Sequence, residues 1–393
     1  MAETAIITRV LPSMQAVSAA AWNGLLAGQA HATPFMRHEY LAALETSGSA
    51  CAQTGWVARP VTLWDGDTLV GACPLYLKGH SYGEYVFDWA WARAYEEHGL
   101  DYYPKAVIAV PFTPVPGDRL LARTPALRQA VLRAAREWCE AHQLSSLHLL
   151  FPSDEDLAAS DAAGFMQRHG VQFHWSNDGY ADWEDFLSCL TQEKRKKIRQ
   201  ERRRVRDAGV TFRSTQGASI SAADWQFFYR CYERTYLEHG NPPYLTPDFF
   251  SQLATQFSQH WLLCIAEREG TPIACSLIAL GTEADGTQVA YGRYWGALER
   301  VDCLHFEACY YQPIAWCIEH GVHRFEGGAQ GEHKMARALM PTPTHSAHWL
   351  AHPAFAEAVD RFLERESHGM EQYLESLQHR SPLRHSQSGP PGP

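Results

Sequence analysis

The chain has 393 residues, of which 46% are hydrophobic and 12% aromatic, and its formal net charge is −10. This length and apolar content predict a large core and about two domains. No stretch approaches the roughly 18 apolar residues of a membrane span, so we expect no membrane insertion.

Cysteine usage and the N-terminus predict an intracellular protein. The ten cysteines are scattered through apolar contexts without any C-x-x-C pair, which favours reduced, buried thiols over disulfides or a zinc site. The first residues, MAETAIITRVLPSM, lack the basic region and apolar run of a signal peptide. We therefore expect a cytoplasmic location.

Four features of the first half recur in the same order in the second half. They are PFMRHEYL (34–41) and PYLTPDFF (243–250), Trp56 and Trp261 before a strand-turn-strand, FDWAWA (87–92) and YGRYWG (291–296), and Trp138-Cys-x-x-His142 and Trp316-Cys-x-x-His320. Each half is predicted as helix, helix, strand-turn-strand, strand, helix, strand, which is mixed α/β with hairpins. If the halves superpose, Trp91 should lie over Trp295, and Trp138 over Trp316.

Turn residues in SNDGYAD (176–182) predict the boundary between the halves. The chain then divides into a first domain (1–178), a second domain (179–378) and a disordered tail (379–393) that has almost nothing apolar to bury. The repeated features lie 204 residues apart at 87 and 291 but 178 apart at 138 and 316, which leaves 26 extra residues in the first half between 92 and 125.

The second domain begins with a strongly basic segment, TQEKRKKIRQERRRVRDAGV (191–210). Between 193 and 206 it holds nine Lys or Arg and two Glu, so the remaining chain sums to −17 (−10 minus +7). It is predicted as a helix that Thr191 caps and Gly209 ends. Its narrow apolar stripe consists of Leu187, Leu190, Ile198 and Val205.

Two interpretations of this helix are open. Either it lies against the acidic remainder of the protein, or its arginines bind a polyanion such as tRNA or the diphosphate of a nucleotide-linked precursor. Like charges four residues apart cost about 0.2–0.5 kcal/mol each, which favours a dense negative partner. The residues assigned here to substrate or donor binding are Arg195, Lys197, Arg199 and Arg202.

A glycine-rich loop follows a strand near the end of the second domain, in FEGGAQGEHK (325–334). Its glycines allow positive φ and bring backbone N–H groups close to a ligand, although a plain tight turn would give the same pattern. We assign Gln330 and Gly331 to substrate binding, together with Arg293 and Trp295, which share one side of an earlier strand.

The residues after this loop carry the groups that acyl transfer to an amine requires. Such a transfer needs a base that takes the ammonium proton and donors that hold the developing oxyanion. Glu332 or His333 could serve as the base, and Lys334 or Arg337 could stabilise the oxyanion or a donor phosphate. The alternative is that these are solvated loop charges.

Other polar residues are weaker candidates. His345, His348 and His352 have the residue type of metal ligands, but two prolines bracket them and no carboxylate accompanies them, so we expect no metal site. His305 and Glu307 open a helix, where we expect a buried capping role.

Three segments are specific enough to indicate a family: YYPKAVIAVPFTPVPGDRLL (102–121), RYWG to LHFEACYYQ (293–312) and FEGGAQGEHKMARALMPTPTHSAHW (325–349). Together with the repeat they resemble the FemAB-like acyltransferases, in the bacterial branch for peptidoglycan biosynthesis/recognition. The resemblance covers nearly the whole chain. It implies an α/β (α+β) fold of two tandem GNAT (N-acetyltransferase) domains, each a mixed, mostly antiparallel sheet flanked by helices.

The resemblance also implies an activity. The better-known Fem proteins attach amino acids from aminoacyl-tRNA to the peptide of a cell-wall precursor, and Arg337 falls near the functional Lys of their G-x(3)-F-K cluster. This chain lacks the long coiled-coil arm that some of them carry. It also lacks the R/Q-x-x-G-x-G/A cradle for acetyl-CoA at the corresponding junction, 296–304, which argues against a routine coenzyme A enzyme.

The expected activity is therefore transfer of an acyl or aminoacyl group to a small-molecule or peptide amine, in a cleft between the halves. The donor is either aminoacyl-tRNA or acyl-CoA, and no cofactor is tightly bound. Two alternatives are acetyl-CoA-dependent N-acetylation of a small amine, and a non-catalytic protein that binds peptidoglycan fragments or anionic ligands.

Overall fold

A computed structural model describes residues 6–329 and 331–384. Its strands are β1 (Ile7–Val10), β2 (Trp56–Ala58), β3 (Val61–Asp65), β4 (Thr68–Cys73), β5 (Leu75–Lys78), β6 (Lys105–Ile108), β7 (Leu121–Ala122), β8 (Ser146–Leu150), β9 (Met166–Ser176), β10 (Val210–Gln216), β11 (Trp261–Arg268), β12 (Thr271–Thr282), β13 (Gln288–Ala297), β14 (Arg324–Glu326) and β15 (Met340–Leu350). Its helices are α1 (Ala19–Leu26), α2 (His38–Thr46), α3 (Trp89–Glu97), α4 (Pro125–Ala141), α5 (Asp154–Ala162), α6 (Trp183–Ser188), α7 (Gln192–Asp207), α8 (Ala222–Glu238), α9 (Pro247–Gln256), α10 (Leu304–Phe306), α11 (Gln312–Glu319) and α12 (Pro353–Gln378). A π-helical turn, Glu307–Tyr311, joins α10 to α11.

Most strands belong to one sheet of eleven strands in the order β10-β11-β12-β13-β14-β9-β15-β8-β6-β5-β2, and a four-stranded sheet has the order β1-β3-β4-β7. In the large sheet β13 pairs with β14, and β6 with β8, in parallel. The other neighbours are antiparallel. The predicted fold class, mixed α/β with mostly antiparallel strands flanked by helices, is confirmed.

Alternate residues of β11 enter two different cores. Leu263 and Ile265 pack with residues of α2, α8 and α9, whereas Leu262 and Cys264 pack with residues of α6 and α11. Because successive side chains of a strand point to opposite faces, helices cover this part of the sheet on both sides.

The last strand of each half lies among strands of the other half. Strand β9, at the end of the first half, pairs with β14 (Phe325 opposite Trp175) and with β15. Strand β15, at the end of the second half, pairs in turn with β8. The predicted boundary falls in the turn after β9, so the halves are consecutive in sequence but share one sheet.

The repeat is visible at the helices that carry the Trp-Cys-x-x-His motif. Just after α4 the ring of His142 packs on Trp138 with a centroid distance of 4.2 Å, and just after α11 the ring of His320 packs on Trp316 at 4.0 Å. In both pairs the His Nδ1 lies 2.8 Å from the Trp carbonyl oxygen. Each helix leads into a strand of a parallel pair, β8 or β14, so the two units have the same local order.

The predicted equivalence of Trp91 and Trp295 is wrong. Trp295 lies on β13, whereas Trp91 lies on helix α3 and packs against the ring of His348 at 4.9 Å. The alternating aromatic pattern suggested a strand, but alanines at three positions of α3 favour a helix. Helix α3 (Trp89–Glu97) therefore begins before the segment 92–125 in which the sequence places the extra residues.

The start of the predicted disordered tail packs against the core. The Thr191 N–H donates to the Pro382 carbonyl and the Arg384 N–H donates to the Cys189 carbonyl, both at 2.9 Å. Leu383 forms a bridge with Leu190. Residues 385–393 lie outside the described residues. Within the described part of the chain, no helix is long and apolar enough to cross a membrane.

The shared sheet predicts that the halves fold only together. A fragment 1–178 would expose both edges of β9, and a fragment 179–393 would leave β15 without β8, so each should be insoluble or poorly folded alone. Co-expression of the two fragments should restore a soluble complex with the circular dichroism spectrum of the intact chain. A monomeric fragment 1–178 with a cooperative unfolding transition would contradict this dependence.

Candidate functional site

The candidate site lies where the parallel strands β13 and β14 separate. Their pairing runs from Val289 opposite Arg324 to Tyr291 opposite Glu326. Beyond this point a cleft of about 160 Å³ opens between Gly292 on β13 and Gly327 on the glycine-rich loop. The cleft is also lined by His305 and Tyr310 from the helical segment that follows β13.

A β-bulge in β13 places Arg293 at this cleft. Leu277 of β12 is opposite Tyr294, and the next residue, Ile278, is opposite Gly292, so Arg293 is the extra residue. A bulged residue leaves the regular ladder, which redirects its side chain. The Arg293 Nη2 donates to the Phe112 carbonyl at 2.9 Å, in the first half of the chain. Sequence reasoning placed Arg293 and Trp295 at a cleft, and both line this one.

Lys334 is the buried cation of the glycine-rich loop. Its side chain is 3% exposed and its Nζ donates to the Gly328 carbonyl at 2.9 Å. Among the described residues no carboxylate lies within 4.0 Å of it. Burial lowers the pKa of Lys334 to about 8, because removing an ammonium group from water favours the neutral amine.

Two histidines lie beside Lys334 in different environments. His333 is exposed, and its Nε2 lies 3.2 Å from the hydroxyl of buried Tyr310. Burial, followed by the nearby charges of His333, Arg337 and Lys334, lowers the pKa of His305 to about 4, so its imidazole is neutral at neutral pH. His305 therefore contributes a neutral ring to the cleft, beyond the capping role expected from sequence.

Arg337 is tied to the basic helix by a buried ion pair. Its Nη2 donates to the Glu201 carboxylate at 3.0 Å, and its guanidinium stacks on the Phe306 ring at 3.6 Å from the centroid. The Tyr311 hydroxyl donates to the same carboxylate. Sequence reasoning missed Glu201, although it lies three residues after Ile198 and four before Val205 and thus on the buried stripe of α7.

The side chain of Glu332 is hydrogen-bonded to α12 and to the segment after it. The Glu332 carboxylate accepts hydrogen bonds from the Tyr373 hydroxyl at 2.7 Å and from Arg380 at 2.9 Å, and these bonds lower its pKa. It therefore fixes α12 and does not line the cleft. Gly331 has φ +116, and a Cβ there would lie 2.5 Å from the His333 ring. Gln330 lies outside the described residues.

The basic helix α7 begins and ends where the sequence predicts. Thr191 is its N-cap residue but makes no side-chain capping bond, and Gly209 has a positive φ just after its end. Its arginine face borders a groove of about 650 Å³, lined by Arg199, Arg202, Arg203 and Arg206. Because two residues along a helix are separated by about 200°, Lys197 lies on the side opposite Arg199.

The ion pairs of α7 support both interpretations of this helix, contact with acidic groups of the protein itself and binding of a polyanion. Arg202 pairs with the buried Glu307 at 3.0 Å, and Arg199 pairs with Glu184. Arg195 is partly buried. Arg203 and Arg206 are exposed and have no carboxylate within 4.0 Å in the described part of the chain. The arginine face is thus only partly neutralised by the protein.

At the corresponding junction of the first half, between β6 and β8, the chain crosses the strand ends. Gly117 forms a bridge with Pro152 just beyond β8. Arg119, which is 1% exposed, donates to the carbonyls of Gly117 and Val115 and so fixes this turn. A separate cavity of about 470 Å³ lies beside the turn and is lined by Gly117 and Pro152.

The histidines considered as metal ligands pair across strands. The Nδ1 atoms of His348 and His148 are 2.7 Å apart, and those of His345 and His169 are 3.1 Å apart. His352 packs on Phe355. Within 6–329 and 331–384, no group of three or more His, Cys, Asp or Glu residues could hold a metal ion.

Comparison with known proteins identifies the family of this chain. A family model described as FemAB-like, peptidoglycan biosynthesis/recognition, matches residues 13–385. The chain belongs to the FemAB-like family. No curated protein is a significant match to this FemAB-like protein.

Two solved structures are similar in fold to this FemAB-like protein. FemX has 11% sequence identity and a TM-score of 0.55, and the match covers 88% of this chain and 98% of FemX. The C-terminal DUF2156 domain of a putative lysylphosphatidylglycerol synthetase from Agrobacterium fabrum has 10% identity and a TM-score of 0.52, with 87% and 94% covered. These similarities show the fold, and the family resemblance inferred from the sequence is confirmed.

The Glu201–Arg337 pair generates a stability prediction. Replacing Glu201 by Gln leaves the Arg337 guanidinium buried without a counter-charge, so we expect a loss of about 3–5 kcal/mol in the free energy of unfolding. Urea denaturation measures this loss. The matched control is Glu193→Gln on the same helix, whose side chain is 82% exposed and whose replacement should change stability by at most about 1 kcal/mol. Equal effects of the two substitutions would show that the pair does not hold α7 to the loop.

Proposed function

We propose that this FemAB-like protein transfers an acyl or aminoacyl group to an amine, and that the reaction takes place in the cleft between β13 and β14. The observation that carries the proposal is Lys334, a buried ammonium group without a described counter-charge on the glycine-rich loop beside the cleft. A cation kept out of water is suited to an anion that develops during the reaction, because it interacts strongly in a low-dielectric site.

The chemistry needs three events at the acyl carbon. The acceptor amine attacks it and forms a C–N bond, the carbonyl oxygen becomes an oxyanion, and the bond to the donor oxygen or sulfur breaks as the oxyanion collapses. Lys334 stabilises the oxyanion. The amine proton must reach a base and then the leaving group. Tyr310 lines the cleft and its hydroxyl lies 3.2 Å from Nε2 of the exposed His333, so we assign the path of that proton to these two residues.

Of the four residues that the sequence suggests for catalysis, we assign two to the reaction and two to other roles. Lys334 and His333 are assigned to the chemistry. Arg337 is already neutralised by Glu201, so its role is to hold the loop against α7. Glu332 is held by Tyr373 and Arg380, so it is not assigned as the base.

The substrates follow from the family and from the charge of the basic helix. Membership of the FemAB-like family supports an acceptor that is a cell-wall precursor peptide. The groove along α7, with Arg203 and Arg206 free of described carboxylates, supports a donor with an extended phosphate backbone, such as aminoacyl-tRNA, over acyl-CoA, whose few phosphates span a shorter distance. The donor is a substrate that is consumed, and no resident cofactor is part of the proposal.

Lys334 gives the reaction a predicted pH dependence. With a pKa of about 8, the side chain is charged below pH 8 and neutral above it. If the charged form stabilises the oxyanion, kcat/KM should fall as the pH rises through about 8. Lys334→Met should lower kcat by about 10²–10³, and Lys334→Arg, which stays charged, should abolish the fall above pH 8. The measurement is a pH–rate profile of each variant.

Glu332→Gln is the control for these variants, because Glu332 is two residues away in sequence and its carboxylate is bound by Tyr373 and Arg380. It should retain the wild-type pH–rate profile. A wild-type rate that rises through pH 8, with the rise lost in Lys334→Met, would instead make the neutral Lys334 amine the base and would refute its role as an oxyanion donor.

The arginine face of α7 generates a second prediction. Arg203→Gln/Arg206→Gln should weaken binding of unfractionated tRNA and lower the slope of log K against log salt by about 1.4–1.8, the value for two phosphate contacts. Fluorescence titrations at several salt concentrations measure this slope. The control is Lys197→Gln/Arg204→Gln, two exposed cations on the opposite side of the helix with the same change in charge. Equal effects of the two double variants would exclude a specific arginine face.

A further inference from the structure

A second cavity adjoins the cleft on the other side of β13. It has a volume of about 300 Å³ and is lined by Tyr232 and Tyr236 of α8 and by Tyr244 in the loop that follows α8. Arg293, Tyr294 and Trp295 border both this cavity and the cleft. A molecule in the second cavity can therefore reach toward the cleft past the bulged residue.

The Arg293 guanidinium has an incomplete set of partners. Its Nη2 donates to the Phe112 carbonyl at 2.9 Å and to the hydroxyls of Thr113 and Tyr294 at 3.4 Å. Its Nε is buried without a hydrogen-bond partner in the described residues. Over the same residues no carboxylate lies within 4.0 Å of the guanidinium.

This environment does not compensate the charge of Arg293. Carbonyl and hydroxyl oxygens accept its hydrogen bonds, and the rings of Phe35 and Tyr294 lie 5.1 and 5.2 Å from it, but none of these groups is an anion. Arg293 is partly buried, and a guanidinium with reduced access to water is normally paired with a negative charge. Arg337, the other arginine near the cleft, has such a partner in Glu201.

We propose that Arg293 binds a carboxylate of the acceptor substrate, with the rest of that group in the second cavity. The assignment of this carboxylate to the acceptor depends on the proposed function, whereas the binding itself does not. A carboxylate matches the geometry of a guanidinium.

The residues that line the second cavity favour a ligand with one negative charge over a ligand with several. Beside Arg293 it contains tyrosines, Trp295, Thr235 and Asn241, and His239 is its other basic side chain. A diphosphate would bring more negative charge than one guanidinium neutralises. Aromatic faces instead suit the aliphatic part of a small carboxylic acid.

The test compares two probes that differ only in the proposed group, N-acetylalanine and N-acetylalanine amide. Ligand-observed NMR titrations on the full-length protein should show binding of the acid at least ten-fold tighter than that of the amide. Arg293→Gln should reduce this ratio to about one, and Arg293→Lys should give an intermediate ratio. The control is Arg230→Gln, an exposed arginine of α8 with the same change in charge, which should keep the wild-type ratio.

Three results would overturn the proposal: no preference of the wild type for the acid, an Arg293→Gln variant with a lower Tm but an unchanged acid-to-amide ratio, or displacement of N-acetylalanine by a lower concentration of inorganic pyrophosphate. The second result would mean that Arg293 only ties β13 to the segment around Phe112. Because binding needs no turnover, an inactive Lys334→Met variant that keeps the acid preference separates this inference from the proposed reaction.

Discussion

The exchange of β9 and β15 is the constraint on which the rest of the structure depends. The last strand of each half pairs with strands of the other half, so both halves share one sheet of eleven strands. The backbone hydrogen bonds of β9 and β15 are satisfied only in this arrangement. The sheet therefore holds the halves in a fixed relation, which allows groups of the first half, such as the Phe112 carbonyl, to contact Arg293 in the second.

The same framework leaves the two halves chemically different. Both contain a parallel strand pair, but in the first half the chain crosses the strand ends at Gly117, in a turn that Arg119 holds. In the second half the bulge at Arg293 and the glycines at 327 and 328 keep the junction open. The two junctions therefore present different side chains, and we place the proposed reaction at the second.

Charge compensation distinguishes structural from functional cations around this cleft. Arg337 and Arg202 each have a buried carboxylate partner, Glu201 and Glu307. Lys334 and Arg293 have none in the described residues, although the chain as a whole is acidic. We propose that the negative charge facing Lys334 and Arg293 arrives with the ligand. Arg119 differs from them because its buried guanidinium holds a turn through carbonyl oxygens alone.

The sequence by itself determined the features that depend on near neighbours. The ends of α7 and the Trp138–His142 and Trp316–His320 pairs follow from residues within a few positions of one another. Only the tertiary structure decided that Glu201 pairs with Arg337, which is 136 residues away in the chain. It also decided that β9 and β15 pair with each other. It also decided that Lys334 is buried and has a lowered pKa while Glu332, two residues away, is bound to α12. Local periodicity carries no information on solvent exclusion or on partners distant in the chain, and these set the chemistry of a charged side chain.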